Sequence, residues 1–263
     1  HWYQSCVAAA DNSFLYLACR DVINIIDVNS RAVVATLRGH TSRVLGVALM
    51  KNSDDNSAYV VSCGSDKMVK MWSLSTFEEV GSHDKHSVEP NAICTLSGGK
   101  CVSGDKRGKL CLWTLAGGAA IHSPQAGQQV AITCLKACES SNRVAIGYLS
   151  GLVQVVDEKM NVVMNLGRHA AEVQAMDFSK TDGRLLSCSK DEMMFVWSAE
   201  GEQICSQFLG DKKRGGSKNK HTRANDTRGY TAACFSPSES QPSSIYFTGS
   251  KAGALLHFDI STG

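Results

Sequence analysis

The chain has 263 residues, of which 43% are hydrophobic and 20% are charged, and its formal net charge is +2. This composition leaves ample apolar material for a core, and no apolar run approaches a membrane span, so we expect no membrane association. The eleven cysteines lie mostly within apolar alternations and form no Cys-x-x-Cys pair. We interpret them as reduced core thiols of a cytoplasmic and nuclear protein, not as disulfides or zinc ligands.

Strand-like segments recur along the chain, each ending in a bulky apolar residue followed by a small polar one. In chain order these pairs are Ile26-Asp27, Trp72-Ser73, Trp113-Thr114, Val156-Asp157, Trp197-Ser198 and Phe258-Asp259. Their spacings are 46, 41, 43, 41 and 61 residues. The first four spacings fit the roughly 40–45 residues of a WD40 repeat, and the last indicates an insertion. The pattern therefore predicts an all-β protein, a WD40 β-propeller with six recognisable blades.

Each repeat reads as a set of short alternating strands. The second repeat predicts strands at Val44–Met50, Tyr59–Cys63, Val69–Ser73 and Phe77–Val80. The sixth repeat stops after three strands. Because a propeller closes by joining its last blade to its first, residues 1–263 form either a six-bladed ring or a single domain that lacks the final blade of a seven-bladed ring. We expect the second arrangement.

A His–Ser–Asp–Trp set occurs in two repeats. The second repeat has Gly39-His40, Ser62, Asp66 and Trp72, and the fifth has His169, Ser187, Asp191 and Trp197, with Arg168 in place of the glycine. A catalytic nucleophile occurs once in a protein, whereas a network that pins strands together recurs in each blade. We therefore expect a structural network and no enzyme activity. The sequence offers no phosphate-binding loop, zinc motif or nucleophile elbow, and we expect no cofactor, no metal and no small-molecule substrate.

Antiparallel strands allow one binding rim to be predicted. The chain reverses at each turn, so the connections between blades lie on the same rim as the turns between the second and third strands. Cations occupy five of these six turns: Arg20, Lys67, Lys106 with Arg107, Lys190, and Lys251. The fourth turn carries Tyr148 and Leu149 instead. Cations here can contact phosphates, or they can simply be solvated turn residues, as is plausible for Lys67 and Lys190.

The insertion at residues 210–229 concentrates positive charge on the same rim. Between Asp211 and Arg228 it has seven cations and two carboxylates, including the run Lys212, Lys213 and Arg214. Such a loop favours phosphate backbones, although a merely solvated loop is the alternative. Trp2 and Tyr3 precede the predicted first strand, Cys6–Ala10, and Tyr230 ends the insertion. These rings are suited to stacking on unpaired bases, unless they only pack a terminal strand.

Several short motifs, taken in order, resemble one WD40 family. They are His1-Trp2-Tyr3, Ala18-Cys19-Arg20, Leu37-Arg38-Gly39-His40-Thr41, Val102-Ser103-Gly104-Asp105, Val144-Ala145-Ile146-Gly147-Tyr148 with Gly151, Gly167-Arg168-His169, Lys213-Arg214-Gly215-Gly216, and Ser236-Pro237 with Gln241-Pro242. Together they are similar to the first propeller of the large WD40-repeat Gemin, the fifth gem-associated protein and the RNA-binding subunit of the SMN complex. The likeness covers nearly all of the chain.

This resemblance implies a function and a set of contact residues. The family's propellers bind the Sm site and the methylguanosine cap of small nuclear RNAs and so select RNAs for Sm-core assembly. The family's RNA-contacting Trp-Tyr pair falls on Trp2 and Tyr3, its first-blade arginine falls on Arg20, and its cap-stacking tryptophan falls on Tyr230. His1 stands where the family has Asn, and the Trp-Asp dipeptides are eroded, which leaves open the RNA sequence that is recognised.

Two classes of function follow from these observations. One is an RNA-binding module whose partners are small nuclear RNA and other assembly-complex proteins. Its contact residues would be Trp2, Tyr3, Arg20 and Tyr230, with phosphate contacts from Lys212, Lys213, Arg214, Lys106, Arg107 and Lys251. The other is a WD40 scaffold that binds peptides or partner proteins on the same rim.

Overall fold

The computed structural model describes residues 3–8, 13–52, 56–115, 119–122, 129–208, 230–236, 244–249 and 255–260. These residues form six antiparallel sheets that follow one another along the chain, five with four strands and one with three. We call the sheets blades 1 to 6. None of the described segments forms a helix with the length and apolar character that a membrane span requires.

Each blade takes its strands from consecutive parts of the chain. Blade 1 contains β1 (Tyr3–Ala8), β2 (Phe14–Cys19), β3 (Val22–Asp27) and β4 (Val33–Arg38). Blade 2 contains β5 (Val44–Lys51), β6 (Ala58–Gly64), β7 (Val69–Ser73) and β8 (Glu79–His83). Blade 3 contains β9 (Pro90–Leu96), β10 (Lys100–Asp105), β11 (Leu110–Thr114) and β12 (Ala119–His122).

The other three blades continue the same arrangement. Blade 4 contains β13 (Ile132–Cys138), β14 (Arg143–Tyr148), β15 (Leu152–Val156) and β16 (Val162–Arg168). Blade 5 contains β17 (Val173–Phe178), β18 (Leu185–Ser189), β19 (Met193–Trp197) and β20 (Gln203–Phe208). Blade 6 contains β21 (Tyr230–Phe235), β22 (Ser244–Gly249) and β23 (Leu255–Asp259).

The core lies between successive blades. Five clusters of buried residues join blade 1 to 2, 2 to 3, 3 to 4, 4 to 5, and 5 to 6. Alternation along a strand explains why: in β9, Ala92 and Cys94 pack in the cluster shared with blade 4, whereas Ile93, between them, packs in the cluster shared with blade 2. Both faces of a blade are therefore apolar, because successive side chains point to opposite faces.

The first strands lie at the centre of this arrangement. Each first strand contacts the first strand of the next blade, from β1 with β5 through to β17 with β21. Close approach of neighbouring blades requires a residue without a side chain at Gly147, where an added Cβ would lie 2.8 Å from Cγ1 of Val173. The remaining strands of each blade extend outward from this centre, in the order in which they occur along the chain.

The prediction of six blades, the last with three strands, is confirmed over the described residues. Two predicted strand starts differ from the structure by more than one residue. β1 begins at Tyr3 and not at Cys6, so Tyr3 belongs to the strand that it was expected to precede. The fourth strand of blade 2 begins at Glu79 and not at Phe77, because Phe77 has a φ of 59° and its N–H donates to the carbonyl of Ser73 in a turn.

Candidate functional site

The connection between blades 1 and 2 meets the β6–β7 turn at one rim. Nδ1 of His40, in the connection, lies 2.8 Å from Oδ2 of Asp66, in the turn. The backbone N–H of Thr41 donates to the same carboxylate over 3.0 Å. We call the rim formed by the blade connections and the second-to-third-strand turns the upper rim, and the opposite one the lower rim. The predicted grouping of these segments on one rim is confirmed here by direct contacts.

The two predicted His–Ser–Asp–Trp sets are hydrogen-bonded networks. Nε2 of His40 and Nε1 of Trp72 each lie 2.9 Å from Oγ of Ser62, which is fully buried. Burial lowers the pKa of His40, which favours the neutral ring. That ring donates through Nδ1 to Asp66 and accepts the hydroxyl proton through Nε2. Every polar atom has a partner inside the blade, so the network fixes strands together.

Blade 5 repeats the network with slightly longer contacts. Nε2 of His169 lies 3.0 Å from Oγ of Ser187, and Nδ1 lies 3.2 Å from Oδ2 of Asp191. The indole of Trp197 donates to the Ser187 hydroxyl over 3.1 Å. Burial again lowers the pKa of His169. Because the same four side chains recur at the same places in two blades, their role is architectural.

Blade 3 contains a third network, which our sequence analysis missed. His86 lies 3.0 Å from Asp105 through Nδ1 and 2.7 Å from Ser103 through Nε2, and Trp113 donates to Ser103 over 2.8 Å. No glycine stands immediately before His86, and Asp105 follows the serine by two positions, not by the four that separate Ser62 from Asp66. The spacing of ten residues from serine to tryptophan is common to all three networks and would have found it.

The glycine expected before His169 is present, but it is displaced by one residue. An added Cβ at Gly39 would lie 2.9 Å from Cη2 of Trp72, and one at Gly167 would lie 2.6 Å from Cη2 of Trp197. Gly167 therefore leaves room for the ring of Trp197 in blade 5, as Gly39 leaves room for the ring of Trp72 in blade 2. The interpretation that Arg168 replaces this glycine was wrong, because β16 contains a register shift next to Arg168.

Arg20 lies in the β2–β3 turn on the upper rim, where it is exposed. Its φ is 57°, and its carbonyl accepts a hydrogen bond of 2.6 Å from the N–H of Val44 at the start of blade 2. The backbone at Arg20 is thereby fixed to the next blade. No ion pair involves this guanidinium within the described residues, so it is available to a ligand.

Two of the predicted cations have partners. Lys106 is ion-paired with Glu89, and Lys190 is ion-paired with Glu172. Both glutamates directly precede the first strand of their blade, so the two lysines occupy equivalent positions. Their charges are compensated on the upper rim. Arg107 is exposed. Its backbone N–H donates to Asp105, and this hydrogen bond fixes the turn without involving the guanidinium.

Most of the aromatic and cationic residues that were predicted to contact RNA lie outside the described residues. Trp2, Lys212, Lys213, Arg214 and Lys251 are all outside, as is the insertion at 210–229. Tyr3 and Tyr230 are the first residues of β1 and β21, pairing with Cys19 and Gly249, but their side chains are not described. Both tyrosines come immediately before a register shift in their strand. Val44, Ile132 and Val173 hold the same position at the start of the first strands of blades 2, 4 and 5.

The turn of blade 4 is uncharged and partly apolar. Tyr148 was expected in this turn, but it is the last residue of β14 and is fully buried. Its hydroxyl donates to Oε1 of Gln154 over 2.8 Å, and burial raises its pKa. Leu149 does lie in the turn, and its side chain is 54% exposed. The chain therefore departs from its charged pattern at this one turn with an exposed apolar residue.

Among the described residues of the upper rim, positive charge is concentrated on one arc. Its described segments over blades 1–3 hold seven cations and four carboxylates: Arg20, Arg43, Lys67, Lys85, Lys106, Arg107 and Lys109 against Asp21, Asp66, Asp84 and Glu89. Those over blades 4 and 5 hold one cation and three carboxylates: Lys190 against Glu172, Asp191 and Glu192. We call the first the cationic arc. Within the described part of this rim, the attraction for a polyanion is therefore strongest over blades 1–3.

The lower rim carries a cavity of about 290 Å³ between blades 4 and 5. Met164, Leu166 and Phe178 contribute apolar side chains to its lining, and Ser140 and Lys180 are among its polar lining residues. The cavity is on the opposite side of the molecule from Arg20. Among the residues that are described, no three His, Cys, Asp or Glu side chains cluster as metal ligands on either rim.

The described cysteines are free thiols placed mainly in the core. Burial raises the pKa of Cys63, Cys94 and Cys134 to about 12 in each case. At neutral pH these groups are protonated and poorly nucleophilic. They fill space between blades as small apolar side chains.

Comparison with known proteins agrees with this architecture. The family model "WD domain, G-beta repeat" matches residues 31–73 and 160–198, the two stretches that contain the His40 and His169 networks. The fold is a WD40 β-propeller. A solved structure, "Structure of U3-55K", superimposes with a TM-score of 0.75 over 97% of this chain and 80% of that chain. Its 16% sequence identity makes it evidence for the WD40 fold alone.

Several curated proteins are distantly similar to this WD40 propeller. "Component of gems protein 5" of Dictyostelium discoideum is 24% identical over 79% of the chain, which spans 22% of that protein. "Gem-associated protein 5" of Mus musculus is 28% identical over 73% of the chain, which spans 14% of that protein. "Autophagy-related protein 16" of Arabidopsis thaliana is 27% identical over 78% of the chain, which spans 39% of that protein. The chain thus corresponds to a minor part of each relative.

Proposed function

We propose that this propeller is an RNA-binding module that recognises the Sm site and the methylguanosine cap of small nuclear RNAs during ribonucleoprotein assembly. The similarity to the two gems proteins supports this proposal, because it extends over about three quarters of the chain in both cases. On this proposal the module acts in the cytoplasm and the nucleus, alongside other assembly proteins, and has no enzyme activity.

The observation that carries the proposal is the exposed Arg20 within the cationic arc. RNA presents a phosphate at every nucleotide, and each phosphate contact releases counterions, which favours binding to clustered cations. Arg20 is exposed, outside any described ion pair, and held in place by the bond from Val44 to its carbonyl. A guanidinium can bind phosphate through two N–H groups at once, and because it is planar it loses less entropy per hydrogen bond than a lysine ammonium loses.

Roles for the other residues follow from their types. Trp2, Tyr3 and Tyr230 would stack on unpaired bases or on the cap, and Lys212, Lys213, Arg214 and Lys251 would contact phosphates. Of the two cations Lys106 and Arg107 in the β10–β11 turn, Arg107 is the stronger candidate for a phosphate contact. Lys106 has to leave Glu89 before it can bind a phosphate, because the two are ion-paired in the free protein.

The proposal is tested with Trp2→Ala and Tyr3→Ala in the intact protein, using a labelled, capped, uridine-rich small RNA. Each lost stacking contact is worth about 1–3 kcal/mol, so each variant should bind about 5-fold to 150-fold more weakly. Val33→Ala, at a 55% exposed position on β4, is the matched control and should bind as the wild type does. Wild-type affinity in both aromatic variants, with native circular dichroism, would reject the assignment.

The alternative is a scaffold that binds a protein or peptide at the upper rim. The ion pairs Lys106–Glu89 and Lys190–Glu172 favour it, because compensated charges are suited to a mixed protein surface. The salt dependence of binding affinity distinguishes the two functions. RNA affinity falls steeply with salt in proportion to the number of phosphates contacted, whereas a mixed interface of this kind gives a shallow dependence.

A further inference from the structure

Two arginines from neighbouring blades lie next to each other on the upper rim. The carbonyl of Arg20, in the β2–β3 turn, accepts a hydrogen bond of 2.6 Å from the N–H of Val44, and Arg43 is the residue directly before Val44. Both arginines are exposed, and the ion pairs of the described residues include neither of them. One backbone hydrogen bond therefore holds two cations together where blade 1 meets blade 2.

The position of Arg43 carries the opposite charge in two other blades. In blade 5 the residue directly before the first strand is Glu172, which accepts a backbone hydrogen bond of 3.0 Å from Lys190 and is ion-paired with the same lysine. Blade 3 likewise has an ion-paired glutamate at this position. In blade 2, Arg43 accepts the corresponding backbone hydrogen bond, of 2.7 Å, from Ser65. Blade 2 therefore keeps the backbone contact of blade 5 but has an arginine opposite a neutral residue in place of the ion pair.

Neither carboxylate of the two adjoining turns is ion-paired with these arginines. The side chain of Asp66, in the β6–β7 turn, is only 5% exposed, and it accepts hydrogen bonds from His40 and from the backbone of Thr41. Asp21, in the β2–β3 turn, is exposed and belongs to no ion pair of the described residues. Because like charges at neighbouring positions repel, an anion that binds between the two guanidinium groups relieves this repulsion and also accepts their hydrogen bonds.

We propose that Arg20 and Arg43 together hold one phosphate of the RNA backbone, which each guanidinium contacts through paired N–H groups. A guanidinium is a planar fork of donors that matches the oxygens of a phosphate, and two of them can approach one phosphate from two sides. The inference rests on the proposed RNA-binding function and deepens it, because it gives Arg43 a ligand. Tyr3, a predicted stacking residue, pairs with Cys19 directly before Arg20, so the shared phosphate lies beside the nucleotide at Tyr3.

The test is a double-mutant cycle with the intact protein and the labelled, capped, uridine-rich small RNA. Arg20→Gln and Arg43→Gln should each weaken binding about 10-fold to 150-fold, as expected for hydrogen bonds to a charged group. The double variant should lose less than the product of these two losses, by a factor of about 2 to 150, since a phosphate that has lost one arginine is held less firmly by the other.

Arg107→Gln is the matched control, because Arg107 is another exposed arginine of the upper rim outside the described ion pairs, but it lies on blade 3. It contacts a different phosphate, so its loss and that of Arg20→Gln should multiply in the double variant. Arg43→Glu, which restores the charge found in blades 3 and 5, should weaken binding more than Arg43→Gln does. All of these positions are exposed, so the melting temperatures should stay close to that of the wild type.

The outcomes distinguish the shared phosphate from RNA binding as such. Wild-type affinity in Arg43→Gln, or losses that simply multiply in the Arg20–Arg43 cycle, would overturn the shared phosphate and leave the proposed function in place. A wild-type protein that does not bind the RNA would overturn the proposed function and the shared phosphate together.

Discussion

Arg20 and Arg31 lie beyond opposite ends of β3, and both are exposed with a φ of 57°. Arg20 is in the turn on the upper rim, and Arg31 is in the turn on the lower rim. The two arginines thus share a blade, a backbone conformation and a solvent exposure, and differ in the rim that they occupy. Comparing substitutions of the two arginines therefore distinguishes the effect of position on RNA binding from the effect of charge.

Arg20→Gln is therefore expected to weaken RNA binding, and Arg31→Gln is not. A hydrogen-bonded contact to a charged group is worth about 1.5–3 kcal/mol, so Arg20→Gln should raise the Kd about 10-fold to 150-fold. Fluorescence anisotropy with a labelled single-stranded RNA measures both variants. Equal losses in the two variants would mean that the propeller responds to net charge and not to the upper rim.

The buried network of blade 3 should be essential for stability. In Ser103→Ala, the indole N–H of Trp113 and Nε2 of His86 both lose their partner in a buried place. Leaving such groups unpaired costs about 1–3 kcal/mol, so the free energy of unfolding in urea should fall by that amount. Ser82→Ala, at an exposed position on β8, is the control and should change stability little. Equal stability of the two variants would show that the network contributes nothing.

Gly167 and Gly81 should respond differently to the same substitution. Each lies in the fourth strand of its blade, but an added Cβ would lie 2.6 Å from Trp197 at Gly167 and 3.8 Å from the nearest atom, in Met71, at Gly81. Overpacking a core typically costs about 1–3 kcal/mol, so Gly167→Ala should unfold at lower urea concentration. Gly81→Ala should leave the transition in place or raise it slightly. A shift of the same size in both variants would exclude contact with Trp197 as the cause.

Most of the blade architecture could be predicted from the sequence because its signal is repeated. The Trp72, Trp113 and Trp197 positions mark equivalent strands, and apolar alternation fixes which side chains enter the core. The His86 network was missed because Asp105 reaches the histidine from the end of β10, two residues after the serine, whereas in the other two networks the aspartate follows the serine by four positions. The displaced glycine at 167 was missed for a similar reason, a register shift in β16.

The candidate site was less predictable than the fold, since ligand contacts depend on partners as well as position. The sequence correctly put Lys106 and Lys190 in upper-rim turns, but their pairing with Glu89 and Glu172 is a tertiary contact.

Acidification should destabilise the protein through His40 and His169. Burial lowers the pKa of both rings below their ordinary value of 6.5 in the folded state. The unfolded chain therefore binds protons near pH 6.5 that the folded protein does not bind, and the free energy of unfolding falls as the pH drops from about 7 towards the folded pKa. The melting temperature should be nearly constant from pH 7 to 8 and should fall between pH 7 and 5.5. A rise over that interval would contradict the neutral state of the two rings.

The proposed function requires that the cationic arc binds RNA phosphates, and the salt dependence of affinity tests this binding directly. An upper-rim variant with Arg20, Lys67 and Arg107 changed to Gln is compared with a lower-rim variant with Arg31, Lys159 and Lys180 changed to Gln, all six being exposed cations. Loss of three contacts to single-stranded RNA should flatten the slope of log K against log salt by about 2 in the upper-rim variant. The lower-rim variant should keep the wild-type slope. Equal slopes in the two variants would contradict RNA binding at this rim.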